Sequence, residues 1–137
     1  MQSDLRWTLL YTKRHAEAWA EINLRKQGFS TLLPRVRGRG GLCPLFPRYV
    51  FVGYGDERAV SAMQHTFGVL YTVLCGDKPA RVPNEVIAEI CDRMDGAGIV
   101  TLDSGREQRD LLFASQRRER IRTLEKFAQA GFKVRAA

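Results

Sequence analysis

The spacing of apolar residues changes period several times along the chain. Trp7-Thr8-Leu9-Leu10-Tyr11 predicts a strand, with Trp7, Leu9 and Tyr11 on one face and Thr8, Leu10 and Thr12 on the other. Ala16, Ala20 and Leu24 then line one side of a helix expected from about Arg14 to Gln27, with Glu21 and Arg25 paired on another side and Gly28 placed to stop it. Phe29 to Leu33 reads as a second strand, ended by Pro34. The glycines of Arg35-Val36-Arg37-Gly38-Arg39-Gly40-Gly41 mark a hairpin tip or a flexible loop. Arg48 to Tyr54 is the next strand, with Tyr49 and Phe51 facing one way and Val50 and Val52 the other.

Asp56 is placed to cap a helix over Glu57–His65, and Val69 to Leu74 follows as a strand before a turn at Gly76–Pro79. Asn84 is the expected N-cap of a helix over Glu85–Met94, with Val86, Ile87, Ile90 and Met94 at helical spacing. Strand hairpins mixed with helices on a short chain predict an α+β two-layer sandwich, a mainly antiparallel sheet of about four strands flanked by helices. After Ser104 the chain becomes arginine-rich and helix-forming to about Ala130, with an apolar stripe of Leu111, Ile121, Leu124, Phe127 and Ala128. The expected division is a domain over 1–100 and a basic helical tail over 101–137.

Composition narrows the function classes. An apolar share of 45% supports a packed core. No run of about eighteen apolar residues is present, so no membrane partner is expected and the cytoplasm is the expected compartment. Cys43, Cys75 and Cys91 are odd in number and form no CxxC, and His15 and His65 complete no ligand set with them, so no metal or cofactor is expected. No catalytic arrangement of Ser/His/Asp, Cys/His or paired carboxylates stands out, which points to a binding protein and not an enzyme. The formal charge of +7 favours an anionic partner. No acid lies between Glu21 and Asp56, whereas Arg25, Lys26, Arg35, Arg37, Arg39 and Arg48 do, a one-signed run suited to nucleic acid or to solubility.

The stretch Pro44-Leu45-Phe46-Pro47-Arg48-Tyr49-Val50-Phe51-Val52 concentrates apolar and aromatic surface beside rigid prolines. Such rings serve a core or a partner equally, and Pro47 lowers the entropy lost on docking. Together with Trp7-Thr8-Leu9-Leu10-Tyr11, Lys13-Arg14, Gly68-Val69 and the run 78–87, it resembles the N-terminal domain of the NusG family of transcription elongation factors, closest to RfaH-like specialised members. The resemblance implies a ferredoxin-like fold over roughly residues 5 to 100 and an elongation or antitermination factor. It implies docking on the β′ clamp helices of RNA polymerase through Tyr11, Leu45, Phe46, Pro47, Tyr49 and Phe51, in competition with a general NusG.

For nucleic acid, the resemblance implies contact of Lys13, Arg14, Asn23, Lys26, Gln27 and Phe67 with the non-template DNA strand, and of Arg35, Arg37 and Arg39 with upstream duplex. Three features depart from RfaH-like members. Ala59-Val60-Ser61 stands where a His-Thr-Thr element contacts the polymerase gate loop, and Phe67 replaces an arginine that helps to read DNA. Residues 101–137 read as helix where the family usually carries a KOW β-barrel. The alternative reading is a stand-alone nucleic-acid-binding module without polymerase contact.

Overall fold

A computed structural model describes residues 5–102 and 111–130. Strands β1 (Arg6–Thr12), β2 (Ser30–Leu32), β5 (Tyr49–Tyr54) and β6 (Val69–Thr72) form an antiparallel sheet in the order β2-β5-β1-β6. Helix α1 (Glu17–Lys26) connects β1 to β2, and β5 inserts between them, so the fold opens with a split β-α-β unit. Two hairpins leave this sheet: β3 (Arg35–Gly38) with β4 (Gly41–Pro44), and β7 (Leu74–Cys75) with β8 (Lys78–Pro79).

The alternation along β1 sorts the core into two clusters. Leu10 packs with Val50, Val52, Ala20 and Leu24 of α1, and Met63 of α2 (Ala59–Gln64). Trp7 and Leu9 pack with Phe51, with Val86, Ile87 and Ile90 of α3 (Asn84–Arg93), and with Leu124 and Ala128 of α4 (Arg117–Gln129). The expected α+β class and antiparallel four-stranded sheet are present. The helices, however, lie on both faces, and every residue of β5 is buried. Val50 and Val52 on one face and Tyr49 and Phe51 on the other are therefore all core.

Several boundaries shift for local reasons. Helix α1 starts at Glu17, later than Arg14, because Lys13–His15 forms a turn in which His15 takes φ 63. Gly28 ends it at φ +93, where its N–H donates to the Arg25 carbonyl. Asp56 accepts from the Arg58 N–H in the turn before α2 and caps no helix of its own, and Pro83 takes the cap position expected for Asn84. The strand from Val69 stops at Thr72, and Leu74 turns away into β7. The expected start of the tail helix, after Ser104, lies outside the described residues.

What holds α4 in place is a buried cation. The Arg120 side chain is 3% exposed. Its Nε donates to the Leu45 carbonyl at 3.0 Å, and its Nη1 donates to the carbonyls of Ala114 at 2.8 Å and Ser115 at 3.1 Å. A guanidinium can be buried when carbonyl dipoles replace its water. Below it, Leu112 and Phe113 of a 3₁₀ turn (Leu111–Phe113) join the cluster, and Arg93 stacks 3.9 Å from the Phe113 ring centroid. Arg120→Ala is expected to destabilise the fold by about 3 kcal/mol, since it removes charge-assisted bonds and leaves buried carbonyls unpaired. Urea denaturation measures this loss.

Candidate functional site

The sheet ends in a ladder of tyrosines. Opposite Tyr11 in register stand Tyr49 on β5 and Tyr71 on β6. The Tyr11 ring meets Tyr49 edge-on at 5.2 Å and stacks with Tyr71 at 4.9 Å. The turn before β5 sets this arrangement. Arg48 adopts φ 74, a left-handed conformation that costs a non-glycine residue about 1–2 kcal/mol. Its backbone N–H donates to Glu17 Oε2 at 2.8 Å, its Nε donates to the Thr12 carbonyl at 3.1 Å, and its guanidinium lies 4.5 Å from the Tyr11 ring centroid. The first residue of α1 thus pins the turn that presents Tyr49.

Helix α4 lies over this end of the sheet. The Tyr49 hydroxyl donates to Glu125 Oε2 at 2.7 Å. Burial, and then the hydrogen bond and negative charge of Glu125, hold the Tyr49 proton far above the ordinary tyrosine range. Leu45, Phe46, Tyr49 and Phe51 are all buried in the cluster that contains Leu124 and Ala128 of α4, while Tyr11 and Pro47 are half-buried. Tyr71 and Leu74, 51% and 52% exposed, flank a cleft of about 350 Å³ between the sheet and α4.

The basic candidates gather at the other side of the β1 exit. Lys13, Arg14, Lys26 and Gln27 are exposed and Asn23 is half-buried. The segment Thr66-Phe67-Gly68 is fastened against α1. The Lys13 N–H donates to the Gly68 carbonyl at 2.9 Å, and Gln27 Nε2 donates to Thr66 Oγ1 at 2.7 Å. Gly68 has φ +95 and sits so close to α1 that a Cβ there would lie 3.3 Å from Ala20. Gln27 therefore orients this loop. Phe67 is exposed, in contact with Trp19 and below the Lys13 ammonium. On the separate β3–β4 hairpin Arg37 and Arg39 are exposed near the tip. Arg35 is half-buried at its base, where its backbone bonds to Gly98 and Val100.

Sequence reasoning did not single out Glu17, Trp19, Tyr71, Arg120 or Glu125. Trp19 carries a legible signal, a large ring off the Ala16-Ala20-Leu24 stripe. The other four act through partners far away in sequence. The three cysteines are free thiols, and no group of three or more potential metal ligands occurs among the described residues. None of the described helices is long and apolar enough to cross a membrane.

A family model described as transcription termination factor NusG matches residues 5–91. A solved structure of NusG from Thermotoga maritima, concerned with its domain interaction, is similar with a TM-score of 0.49 and 21% identity. The match covers 62% of this chain and 54% of that one, so it spans about half of that protein. No curated protein sequence matches the chain.

The Tyr49–Glu125 contact gives a pH signature. The unfolded chain releases a tyrosine proton near 10, whereas folded Tyr49 retains it. Its contribution is complete below that pH and is lost as pH rises above it. Denaturant melts between neutral pH and pH values above about 10 are expected to show stability falling on the alkaline side, with a shallower fall in Tyr49→Phe.

Proposed function

The chain belongs to the NusG family of transcription factors, and from this premise we propose that it is an elongation factor that docks on RNA polymerase through the tyrosine end of its sheet. The β′ clamp helices are the docking partner, and the outcome is suppressed pausing or termination. The face of α1 with Lys13, Arg14, Asn23 and Lys26 contacts the non-template DNA strand, and the hairpin arginines Arg37 and Arg39 approach upstream duplex. Such a factor is operon-selective in the RfaH-like manner, competes with a general NusG, and works in the cytoplasm. Helix α4 (Arg117–Gln129) serves as a helical appendage to the 1–100 domain.

One observation carries the docking reading. The Tyr11-Tyr49-Tyr71 end of the sheet already accepts an amphipathic helix, α4, whose Glu125 accepts the hydrogen bond of the Tyr49 hydroxyl and whose Leu124 and Ala128 join the apolar cluster. A surface that receives one helix has the shape and chemistry to receive a helix from a partner. Tyr71 and Leu74 remain exposed at its rim and offer the first contact, and α4 gives way to the polymerase helices.

A lock on α4 tests this directly. The Cys75 thiol donates to the Gln129 carbonyl at 3.5 Å where β7 meets the end of α4, so Gln129→Cys brings a second cysteine to a residue already in contact with Cys75. The oxidised variant, with its disulfide verified by mass spectrometry, is expected to lose binding to an RNA polymerase elongation complex and to regain it on reduction. Tyr71→Ala, at an exposed site, is expected to weaken binding about tenfold without loss of folding. Equal binding by the oxidised and reduced forms would contradict the docking surface and favour a stand-alone nucleic-acid module.

A further inference from the structure

Trp19 and Phe67 are the most exposed large apolar side chains among the described residues, at 61% and 67%. They come from α1 and from the loop before β6, yet their ring centroids lie 6.4 Å apart at an interplanar angle of 78°. Two nearly perpendicular rings form a corner open to solvent. Neither the core nor α4 uses it, since both clusters close without these side chains. Exposed aromatic surface of this kind costs solubility unless a ligand takes it.

The corner is rigid. Phe67 stands between Thr66, which accepts from Gln27 and donates to the Ala62 carbonyl, and Gly68, which is packed against Ala20 and bonded to the Lys13 N–H. The loop is thus fastened on both sides of the ring it presents, and little order remains to be created on binding.

The surrounding charge is of one sign. Lys13 Nζ lies 5.6 Å from the Phe67 centroid. Arg14, next to Lys13 in the chain, and Lys26 are exposed, and Asn23 and Lys26 share the helix side of Trp19 by spacing. The two acids of α1 are withdrawn from this surface. Glu17 is buried against the Arg48 N–H, and Glu21 is engaged by Arg25 and the Thr31 hydroxyl. An apolar corner with open ring faces and a cation at its side fits a flat heterocycle attached to phosphate.

We infer that Trp19 and Phe67 form a stacking site for an unpaired nucleobase, with Lys13 and Lys26 on the flanking phosphates and Asn23 placed for a base edge. This deepens the proposed contact of α1 with non-template DNA and rests on that reading. It assigns the ligand class as single-stranded nucleic acid, read mainly by stacking, which every base supports. Duplex keeps its bases stacked on one another and offers no ring to the corner.

The test uses the full chain at low salt. Labelled single strands of about twelve nucleotides, as DNA and as RNA, and the matching duplex are titrated by anisotropy. Tryptophan emission is followed in parallel. The single strands, of either sugar, are expected to bind more tightly than the duplex and to quench Trp19. Trp19→Ala and Phe67→Ala are each expected to lose about ten- to a hundredfold in affinity with unchanged thermal midpoints. Trp19→Phe keeps most of the affinity, and Tyr71→Ala leaves it at the wild-type value.

Duplex bound as tightly as single strand would overturn the inference. So would a Trp19→Ala variant of wild-type affinity beside a weakened Lys13→Ala variant, in which case the basic face binds DNA but the rings do not stack on it. If the wild type binds no oligonucleotide, the DNA reading of α1 falls together with the stacking site.

Discussion

A strand buried at all six positions, as β5 is, requires a cover on each face of the sheet. Most of the structure follows from this. Helices α1 and α2 take the face of Val50 and Val52, and α3 and α4 take the face of Tyr49 and Phe51. Burying a side chain such as Phe51 contributes roughly 1.5–3 kcal/mol. The cluster that includes Leu45, Phe46 and Phe51 therefore gives α4 a strong reason to stay. Arg120 fixes its register, because three carbonyls supply what water would otherwise supply to the guanidinium.

The Arg48 turn links the two candidate surfaces. Glu17 begins α1, the helix that carries Trp19, Asn23 and Lys26, and the same carboxylate accepts the Arg48 N–H that positions Tyr49. Lys13 connects the other way, since its amide fastens Gly68 and its ammonium lies over Phe67. The aromatic end and the basic corner thus share the exit of β1 as a common support. A partner that grips one surface grips a body rigidly joined to the other, as the proposed bridging of polymerase and DNA would require.

Much of this was legible in the sequence. The alternation of Trp7-Thr8-Leu9-Leu10-Tyr11, the four-residue spacing of Ala16, Ala20 and Leu24, and the glycines at 28, 38 and 41 place most elements of the 5–102 segment within a few residues. Period and turn chemistry are local properties, and a sequence displays them. The double cover of β5 was not legible, because a buried tyrosine and a docking tyrosine look alike until the facing layer is known. Arg120 reads as one more solvated arginine in a basic helix, and only the fold brings it beneath Leu45. The contact of Gln27 with Thr66, far away in sequence, which braces the loop before β6, was not legible either.

The central claim is that α4 occupies the surface that polymerase takes. Hydrogen–deuterium exchange of the amides over Arg117–Gln129, in the free protein and with polymerase added, tests it most directly. The account predicts slow exchange in the free protein and fast exchange in the complex, with β5 protected in both. Bound protein whose α4 amides remain as protected as in the free state would contradict it.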